Sequence, residues 1–564
     1  MQLSSKRINY WHIFALIGIA LVVCVPFIYL PHIYNQDDLL FHKARLLHYY
    51  TTVVQQHDLV PYVFSGMANH FGYAADTFYN SLALLPFVAF KMLLGGFVLP
   101  YQLYLATISI ATALVAYGCG RRVFDDRAAL VAAALYTANT YRLIDVFLRG
   151  ALGEALAYVV LPIVALGFVK TVQSRGWRTL SVGMSLLWLV HPLSAVLATV
   201  ILIGLDVVLW LRRELAGSAF RQQCLAALAW GVLTSFSTLP MLEQTFNQPL
   251  TLTKAHQMWA QGLDYSFADL LTNSLSNTSG VWGNLAPNIG PLALFGLGFA
   301  LWHLPALSRS YRLAATATAT LFVLSSNLVL WSIVKDSPAA MIQFEWRLLS
   351  FVALGCAILA AATLMRWRYW LIAIALGLAV SFNFAAVAAF QAVDNGLVIT
   401  DKNADVANSA IGGGYEFLPA TLPGTIASDS LAQTLHNASR NHHVVGHATY
   451  LRREHSGLEH YVVSQTKAGA GLIVLAKIAY PGYTVFVNNK PIKPLNVNGL
   501  IGIQIKQKLP AQVTIRYTKT ALQKTTLIAA GVAWLALLAS TWHSWRKQSK
   551  REYEPWKIKH YSSN

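Results

Sequence analysis

The sequence predicts an all-α polytopic membrane domain of about 12 transmembrane helices, with a small β-sandwich inserted before the last helix. Of its 564 residues, 55% are hydrophobic and only 12% are charged, whereas soluble globular chains have about 25% charged residues. Long apolar runs recur from residue 10 to residue 545, and a polar region from about 392 to 523 interrupts them. The chain is therefore expected to be a multi-pass membrane protein with one extramembrane domain.

The formal net charge of +18 lies largely in short connections between apolar runs and in the C-terminal tail. This is the positive-inside pattern of membrane proteins, with added attraction to anionic membrane lipids. No zinc-finger spacing or soluble basic domain accompanies the charge, so nucleic acid is excluded as a partner. The four cysteines lie in or at the ends of apolar runs, so the polar region is expected to fold without disulfides.

The first apolar run lacks a cleavage pattern and is predicted to be an uncleaved helix. Placing all basic connections in the cytoplasm then predicts 12 spans, with both termini cytoplasmic. The spans are 10–30, 101–120, 128–145, 155–169, 179–190, 193–211, 224–242, 288–304, 313–334, 348–365, 370–390 and 525–542. Segment 81–98 is expected to stay at the outer side as a membrane-embedded helix or hairpin.

These spans divide the chain into four parts. Residues 1–391 are expected to form a helical transmembrane domain with a first outer loop at 31–100, and 392–523 an extracytoplasmic β-rich domain. Residues 524–545 are expected to form the final helix, and 546–564 a basic cytoplasmic tail.

The polar region has the alternating pattern of β-strands. The predicted strands are 443–451, 459–465, 471–478, 483–487, 501–506 and 512–517. A hairpin is expected around 454–457, and tight turns are expected at 488–490 and 498–499. No acid–His–nucleophile spacing occurs there, which favours a structural or polymer-binding module.

Two adjacent carboxylates, Asp37 and Asp38, follow the first apolar run. Asp38, His42 and Arg45 have i, i+4, i+7 spacing, which places them on one face of a helix. An acid, an imidazole and a guanidinium at a membrane surface indicate handling of an anionic or proton-donating group. An ordinary charged helix beside the membrane explains the same spacing equally well.

Further ionisable residues fall at the predicted outer ends of helices: Arg149, Glu154, His191, Glu243 and Arg347. Ionisable groups at membrane depth are costly and usually face a cavity. Their common side predicts a single outward-facing cavity. For His191 the pattern favours a helix cap or a satisfied turn, and for Glu243 both a structural and a functional role stay open.

Several short motifs resemble those of a bacterial family called 6-pyruvoyl-tetrahydropterin synthase-related membrane proteins. These motifs are 38–45, 71–73, 78–80, 149–154, 161–162 and 343–347. The run 480–490 resembles the outer domain of YfhO-like proteins. Both groups resemble GT-C membrane glycosyltransferases, which take a sugar from a polyprenyl-phosphate carrier at the outer face. The resemblance therefore implies that the transmembrane domain, residues 1–391, is GT-C-like. The resemblance extends over nearly the whole chain through loose motifs.

The resemblance implies catalytic roles for the first outer loop. Asp38 matches the loop carboxylate that acts as base or metal ligand, Asp37 stands next to it as a metal or hydroxyl ligand, and His42 is expected to orient it. A divalent metal ion is therefore a candidate cofactor. The implied partners are an undecaprenyl-phosphate-type sugar donor, an envelope glycopolymer or lipid acceptor, and membrane lipids.

A leaving carrier phosphate requires cations. The cations available on the outer side are Arg45, Arg149 and Arg347, and Glu154 is expected to position an arginine. His191 and Glu243 complete the expected substrate-binding set.

Two other functions compete with transfer. A transporter or flippase of a lipid-linked sugar needs outer cations and an amphipathic cavity, but no carboxylate pair at a reacting centre. Internal repeats would support it, and the sequence shows none. A non-catalytic membrane protein whose β-domain binds envelope polymer is the other alternative.

Overall fold

The fold is known from a computed structural model of the chain. It describes residues 9–34, 37–68, 71–253, 264–276, 286–363, 369–393, 398–405, 410–412, 415–422, 449–455, 458–465, 471–505 and 511–552.

Helices make up most of the described chain. They are α1 Tyr10–Ile28, α2 Leu39–Gln55, α3 Ala75–Phe78, α4 Leu85–Leu94, α5 Val98–Gly120, α6 Asp126–Thr137, α7 Thr140–Leu143, α8 Leu152–Val172, α9 Arg178–Val190, α10 Pro192–Leu211, α11 Gly217–Leu233, α12 Ser235–Asn247, α13 Phe267–Ser276, α14 Pro291–Trp302, α15 Arg309–Leu324, α16 Val329–Lys335, α17 Leu349–Thr363, α18 Tyr369–Val393 and α19 Ala521–Glu552. A π-helical turn, Ile144–Leu148, follows α7, and a 3₁₀ turn, Glu345–Leu348, precedes α17.

Among the described helices, five are long and apolar enough to cross a membrane: α1, α5, α8, α10 and the Ala521–His543 part of α19. The pair α11 and α12 passes the same test together but is bent by 69°. The chain is thus a multi-pass membrane protein. The predicted number of 12 spans is not confirmed, since several predicted spans are shorter or broken.

Three of the predicted spans are interrupted at polar residues. Span 128–145 ends at Thr137, because the Asn139 side chain caps a new turn by accepting from Tyr141 N at 3.0 Å. Span 224–242 bends between α11 and α12, and span 313–334 breaks between α15 and α16. Asn, Ser and Thr offer the backbone local hydrogen bonds that compete with a continuous helix. The span prediction, which was based on the length of apolar runs, did not include these breaks.

Segment 81–98 forms a short helix. Helix α4 has 10 residues and ends at Gly95, whose φ of +69° is accessible to glycine. Ten residues span about 15 Å at 1.5 Å per residue, about half the thickness of a bilayer core. This length agrees with the expectation that the segment does not cross.

The polar region forms two small antiparallel sheets. Its strands are β3 Thr449–His455, β4 Leu458–Gln465, β5 Gly471–Ile478, β6 Tyr483–Val487, β7 Lys490–Ile492, β8 Leu495–Val497, β9 Leu500–Ile505 and β10 Ala511–Tyr517. One sheet has the order β3-β4-β10-β6-β7 and the other β5-β9-β8. The short strands β1 Ile33–Tyr34 and β2 Val398–Ile399 form a separate pair.

The predicted strands and turns are largely confirmed. Strands β3 and β4 pair up to His455 and Leu458, so the hairpin lies where it was predicted. Asn488 and Asn489 have φ of +48° and +64° between β6 and β7, as the turn chemistry requires. The predicted strand 443–451 overlaps β3 only from Thr449, and 443–448 lie outside the described residues.

The β region packs directly on the first outer segment. Ile478 N donates to Phe71 O at 2.9 Å, and Lys477 Nζ donates to Ser65 O at 3.3 Å. Val485 and Val513 of the larger sheet and Ile503 of the smaller share one core cluster with residues of the first outer segment. The two regions therefore share one continuous core, which also includes residues of α1, α5 and α8.

Candidate functional site

Three distant segments of the chain converge at the beginning of α2. Asp38 is the residue before α2, and its backbone N–H donates to Arg149 O at 2.8 Å. Arg149 follows the π-helical turn, and Gly150, with φ of +64°, lets the chain reverse into α8. Arg347 arrives on the 3₁₀ turn before α17. The acid–arginine cluster is defined here as Asp38, Asp145, Arg149, Glu154 and Arg347.

Arg149 lies at the centre of the acid–arginine cluster. Its Nη1 is 2.6 Å from Asp145 Oδ1 and 3.3 Å from Glu154 Oε2, and its Nη2 is 3.8 Å from Asp38 Oδ2. The guanidinium also lies over the Trp346 ring, 4.7 Å from its centroid. Three carboxylates and an aromatic face thus hold a single guanidinium.

Glu154 bridges the two arginines of the cluster. Its Oε1 accepts from Arg347 Nε at 2.8 Å, while its Oε2 is the oxygen that contacts Arg149. Tyr141 also donates to this carboxylate, at 3.3 Å, and Arg347 Nη1 donates to Ile342 O at 2.9 Å. Glu154 was predicted to position one arginine. In the structure it contacts two, Arg149 and Arg347.

Exposure differs sharply within the cluster. The Asp38 side chain is 47% exposed, whereas those of Asp145, Arg149, Glu154 and Arg347 are at most 9% exposed. Two guanidiniums face three carboxylates, so the cluster has a formal charge of −1. Buried ion pairs are a costly way to stabilise a fold, and Asp38 is the member most open to a ligand.

The two aspartates of the first outer segment have raised pKa values. For Asp37, desolvation and the neighbouring Asp38 carboxylate raise the pKa to about 6. Desolvation also raises the pKa of Asp38, because its carboxylate lies deep among protein atoms despite its open side. Arg149 and Arg347 oppose this shift. A carboxylate with a raised pKa binds a proton more readily, which suits a general base.

His42 and Arg45 do share a helix face with Asp38, but that face turns into the protein. Arg45 is 1% exposed, and its Nη2 donates to Tyr79 O at 2.6 Å and to Ser81 Oγ at 3.3 Å. Burial and the nearby Arg45 cation hold the pKa of His42 well below its usual value, so the imidazole is neutral. The Arg45 guanidinium is thus buried against Tyr79 and Ser81, and its phosphate contact stays a prediction.

His191 caps a helix, as its sequence context favoured. Its Nδ1 lies 2.7 Å from Ser194 Oγ and accepts from Ser194 N at 3.3 Å, at the start of α10. Its ring is also 5.8 Å from the ring of Tyr79, which places it beside the site.

Glu243 does not join the acid–arginine cluster. Thr520 Oγ1 donates to Glu243 Oε2 at 2.8 Å, so this carboxylate ties α12 to the residue before α19. This contact supports the structural role that the sequence left open for Glu243, and its substrate-binding role stays a prediction.

Two residues of the site escaped the sequence analysis, Asp145 and Tyr79. Asp145 precedes Arg149 by four residues, the spacing of a helical ion pair, and this signal was present in the sequence. Tyr79 lies between His42 and His191, with ring-centroid distances of 5.9 Å and 5.8 Å. Only its presence in the resemblance motif 78–80 pointed to it.

The residues of this site do not fit a resident metal ion. Among the described residues, no group of three or more His, Cys, Asp or Glu side chains is placed to hold one. The buried carboxylates of the cluster contact guanidiniums instead, and only Asp37 and Asp38 remain for the divalent metal ion named as a candidate. No chemical step is therefore assigned to a metal.

An apolar cavity of about 840 Å³ lies between α14 and α17, next to α7. Leu294, Phe299 and Ala357 line it, together with Thr140 and Gly290. Thr140 is adjacent in the chain to Tyr141, which donates to Glu154. One residue of the cavity lining is therefore next in sequence to a residue that contacts the acid–arginine cluster.

Comparison with known proteins gives distant structural similarity only. No protein-family model and no curated protein matches the chain. ArnT from Cupriavidus metallidurans, bound to undecaprenyl phosphate, is similar with a TM-score of 0.40 and 16% identity, over 66% of this chain and 64% of that chain. The arabinofuranosyltransferase AftD from Mycobacteria is similar with a TM-score of 0.41 and 17% identity, over 69% of this chain and 28% of that chain.

This chain thus spans less than two thirds of the length of either protein. Similarity at this level carries no argument about function, and the family resemblance of the motifs stays a prediction.

Proposed function

We propose that this chain is a GT-C-type membrane glycosyltransferase. It transfers a sugar from a polyprenyl-phosphate donor to a cell-envelope acceptor at the outer face of the membrane. The observation that carries the proposal is the half-open Asp38 carboxylate, held 3.8 Å from Arg149 in a buried cluster that also contains Arg347. The motif resemblance supports the same class.

The positive-inside pattern supports the orientation of the protein. Both termini are assigned to the cytoplasm, and the acid–arginine cluster and the β region to the outer side. The β region contacts the same first outer loop, 31–100, that carries Asp38. Donor and acceptor thus meet where the apolar helices give way to the outer segments.

The proposed step is substitution at the anomeric carbon of the donor. The acceptor hydroxyl oxygen forms the new bond, Asp38 takes its proton, and the bond from the anomeric carbon to the carrier phosphate oxygen breaks. Polyprenyl phosphate leaves with the electron pair. The raised pKa of Asp38 brings its proton affinity closer to that needed for this transfer at neutral pH.

The arginines of the cluster bind the carrier phosphate in this proposal. A guanidinium offers a planar fork of donors that matches phosphate oxygens. Glu154 holds both guanidiniums in advance, so little reorganisation is needed as negative charge develops on the leaving phosphate. The apolar cavity beside α7 is assigned to the hydrocarbon chain of the carrier, because its lining is apolar and includes Thr140, the residue before Tyr141, which donates to Glu154.

The decisive experiment compares strains that carry no copy, the wild-type copy and Asp38→Asn. The amide keeps the shape of the carboxylate but does not take the proton, and loss of a general base typically costs about 10²–10⁴-fold in rate. We expect the deletion and the Asp38→Asn strains to accumulate the same polyprenyl-phosphate sugar and to lose the same envelope glycan. Mass spectrometry of extracted lipids measures the first, and glycan analysis the second.

Asp58→Asn is the matched control, since Asp58 is an aspartate of the same outer segment that pairs with Lys519 at 2.7 Å. Its strain should have normal glycan. Normal glycan in the Asp38→Asn strain would remove the catalytic assignment and favour a flippase or a polymer-binding scaffold.

A further inference from the structure

Tyr79, the residue after the short helix α3, is fixed by contacts with three charged or polar side chains. Arg45 donates to its carbonyl at 2.6 Å, and the same guanidinium lies over its ring, 4.0 Å from the centroid. His42 and His191 flank the ring at 5.9 Å and 5.8 Å. A buried guanidinium and two imidazoles thus fix one phenol ring in place.

The hydroxyl of this phenol reaches the first turn of α8. A Cβ on Gly153 would overlap the Tyr79 hydroxyl and would lie 2.8 Å from His191 Cδ2. Gly153 immediately precedes Glu154, the residue that bridges the two arginines. Asp38, Glu154 and Arg347 all lie near enough to act electrostatically on the phenol. The Tyr79 hydroxyl therefore belongs to the site, and only glycine at 153 leaves room for it.

The charge of the cluster explains why a neutral donor is needed there. Arg149 and Arg347 are already paired with carboxylates, and the cluster has a formal charge of −1. An anionic ligand gains less from such arginines than from unpaired ones. A neutral hydroxyl donates a hydrogen bond to an anionic oxygen without adding a carboxylate or needing a counterion.

We infer that Tyr79 directly contacts the phosphate of the bound carrier lipid and that Gly153 is the positioning residue that admits its hydroxyl. This inference rests on the proposed function, because it takes the ligand to be a phosphate ester on a long apolar chain. Arg45 positions Tyr79.

Lipid binding to the full chain in nanodiscs tests the contact separately from catalysis. The probes are undecaprenyl phosphate and undecaprenol, which share the chain and differ in the phosphate. Tyr79→Phe removes only the hydroxyl and should weaken undecaprenyl phosphate binding about 10- to 100-fold, the range for a hydrogen bond to a charged group. Undecaprenol binding should not change.

Tyr101→Phe is the matched control. Tyr101, in α5, stacks on Phe97, and its buried hydroxyl has no hydrogen-bond partner among the described residues. This variant should bind both lipids as the wild type does. If Tyr79→Phe and the wild type bind undecaprenyl phosphate with equal affinity, the inference is overturned. The proposed role of Asp38 does not depend on this result, because Asp38→Asn tests it separately. A wild type that binds both lipids equally overturns the inference and the proposed phosphate site together.

Gly153 is tested by a double-mutant cycle. Gly153→Ala should weaken undecaprenyl phosphate binding as much as Tyr79→Phe does, because the new methyl group displaces the phenol. In a Tyr79→Leu background, Gly153→Ala should have little further effect. Gly18→Ala, in a membrane helix with open space around the glycine, controls for the substitution itself. An equal loss from Gly153→Ala in both backgrounds would show that Gly153 does not act through Tyr79.

Discussion

The first outer segment meets two regions of the molecule, and the two contacts differ in kind. On one side Asp38 joins the acid–arginine cluster, where every charged side chain except that of Asp38 is buried and Arg149 and Glu154 each have several charged partners. On the other side Asp58, Ser65 and Phe71 meet the β region through a partly exposed ion pair and backbone hydrogen bonds. The second contact uses interactions that fold proteins at little cost.

The difference distinguishes function from support. A fold does not need three carboxylates and two arginines brought together in a mostly apolar molecule, since apolar packing would be as stable. Glu243 is an example of an isolated ionisable residue. It was included in the expected substrate-binding set, yet its carboxylate accepts a hydrogen bond from Thr520, which connects α12 to the residue before α19. Concentrated and shared charge marks the site, whereas a lone ionisable residue does not.

The largest expected effect comes from making the same substitution at Glu154, inside the acid–arginine cluster, and at Glu243, outside it. Glu154→Gln removes the negative charge that holds Arg149 and Arg347, so transfer should fall by about 10²-fold or more. The free energy of unfolding should fall by roughly 3–5 kcal/mol, the usual cost of breaking a buried pair. Glu243→Gln keeps an acceptor for Thr520 and should leave transfer unchanged. Thermal unfolding measures the stability of the two variants, and glycan analysis measures their transfer. Equal losses in the two variants would show that a glutamate of the cluster is no more important than a glutamate outside it.

A smaller effect is expected from keeping the charge and changing its geometry. Arg347→Lys keeps the cation but loses the fork that contacts Glu154 and Ile342 O. We expect affinity for undecaprenyl phosphate to fall about 10-fold. Arg309→Lys, at a side chain that is 81% exposed, is the control and should bind normally. Unchanged binding by Arg347→Lys would mean that only its charge matters.

Stability should depend on pH through a buried carboxyl group beneath the site. Desolvation raises the pKa of Asp76 to about 7, with Arg45 opposing. Because the folded state binds this proton more tightly than the unfolded state does, its contribution to stability falls as pH rises from about 4 to 7. The unfolding temperature of Asp76→Asn relative to wild type should therefore be higher at pH 8 than at pH 5. A difference between the two proteins that does not vary with pH would contradict this pKa.

The smallest effect belongs to the contact with the β region. Lys519→Met leaves Asp58 unpaired but partly exposed, so the free energy of unfolding should change by no more than about 1 kcal/mol. Glycan transfer should stay normal. A loss of transfer without a loss of stability would show that this ion pair has a functional role, which contradicts the expectation that it only supports the fold.

The sequence by itself determined the class of molecule and the local geometry of its elements. Apolar runs predicted a membrane protein, alternation predicted the strands β4, β5, β6, β9 and β10, and Asn488 and Asn498 adopt the positive φ that their turns require. The Asp145–Arg149 pair also lay within reach, because four-residue spacing in a helical turn is a local rule. Each of these features depends on residues that are close in the chain.

Only the tertiary structure decided which charges meet. Glu154 and Arg347 are 193 residues apart, the hydroxyl that contacts Glu243 is 277 residues away, and Arg45 contacts Tyr79, 34 residues further along the chain. The breaks in three predicted spans have a local cause instead, because polar side chains compete with the helix for backbone hydrogen bonds. A buried charge must find a partner wherever the packing brings one, and no periodicity in the sequence records which distant segment that is.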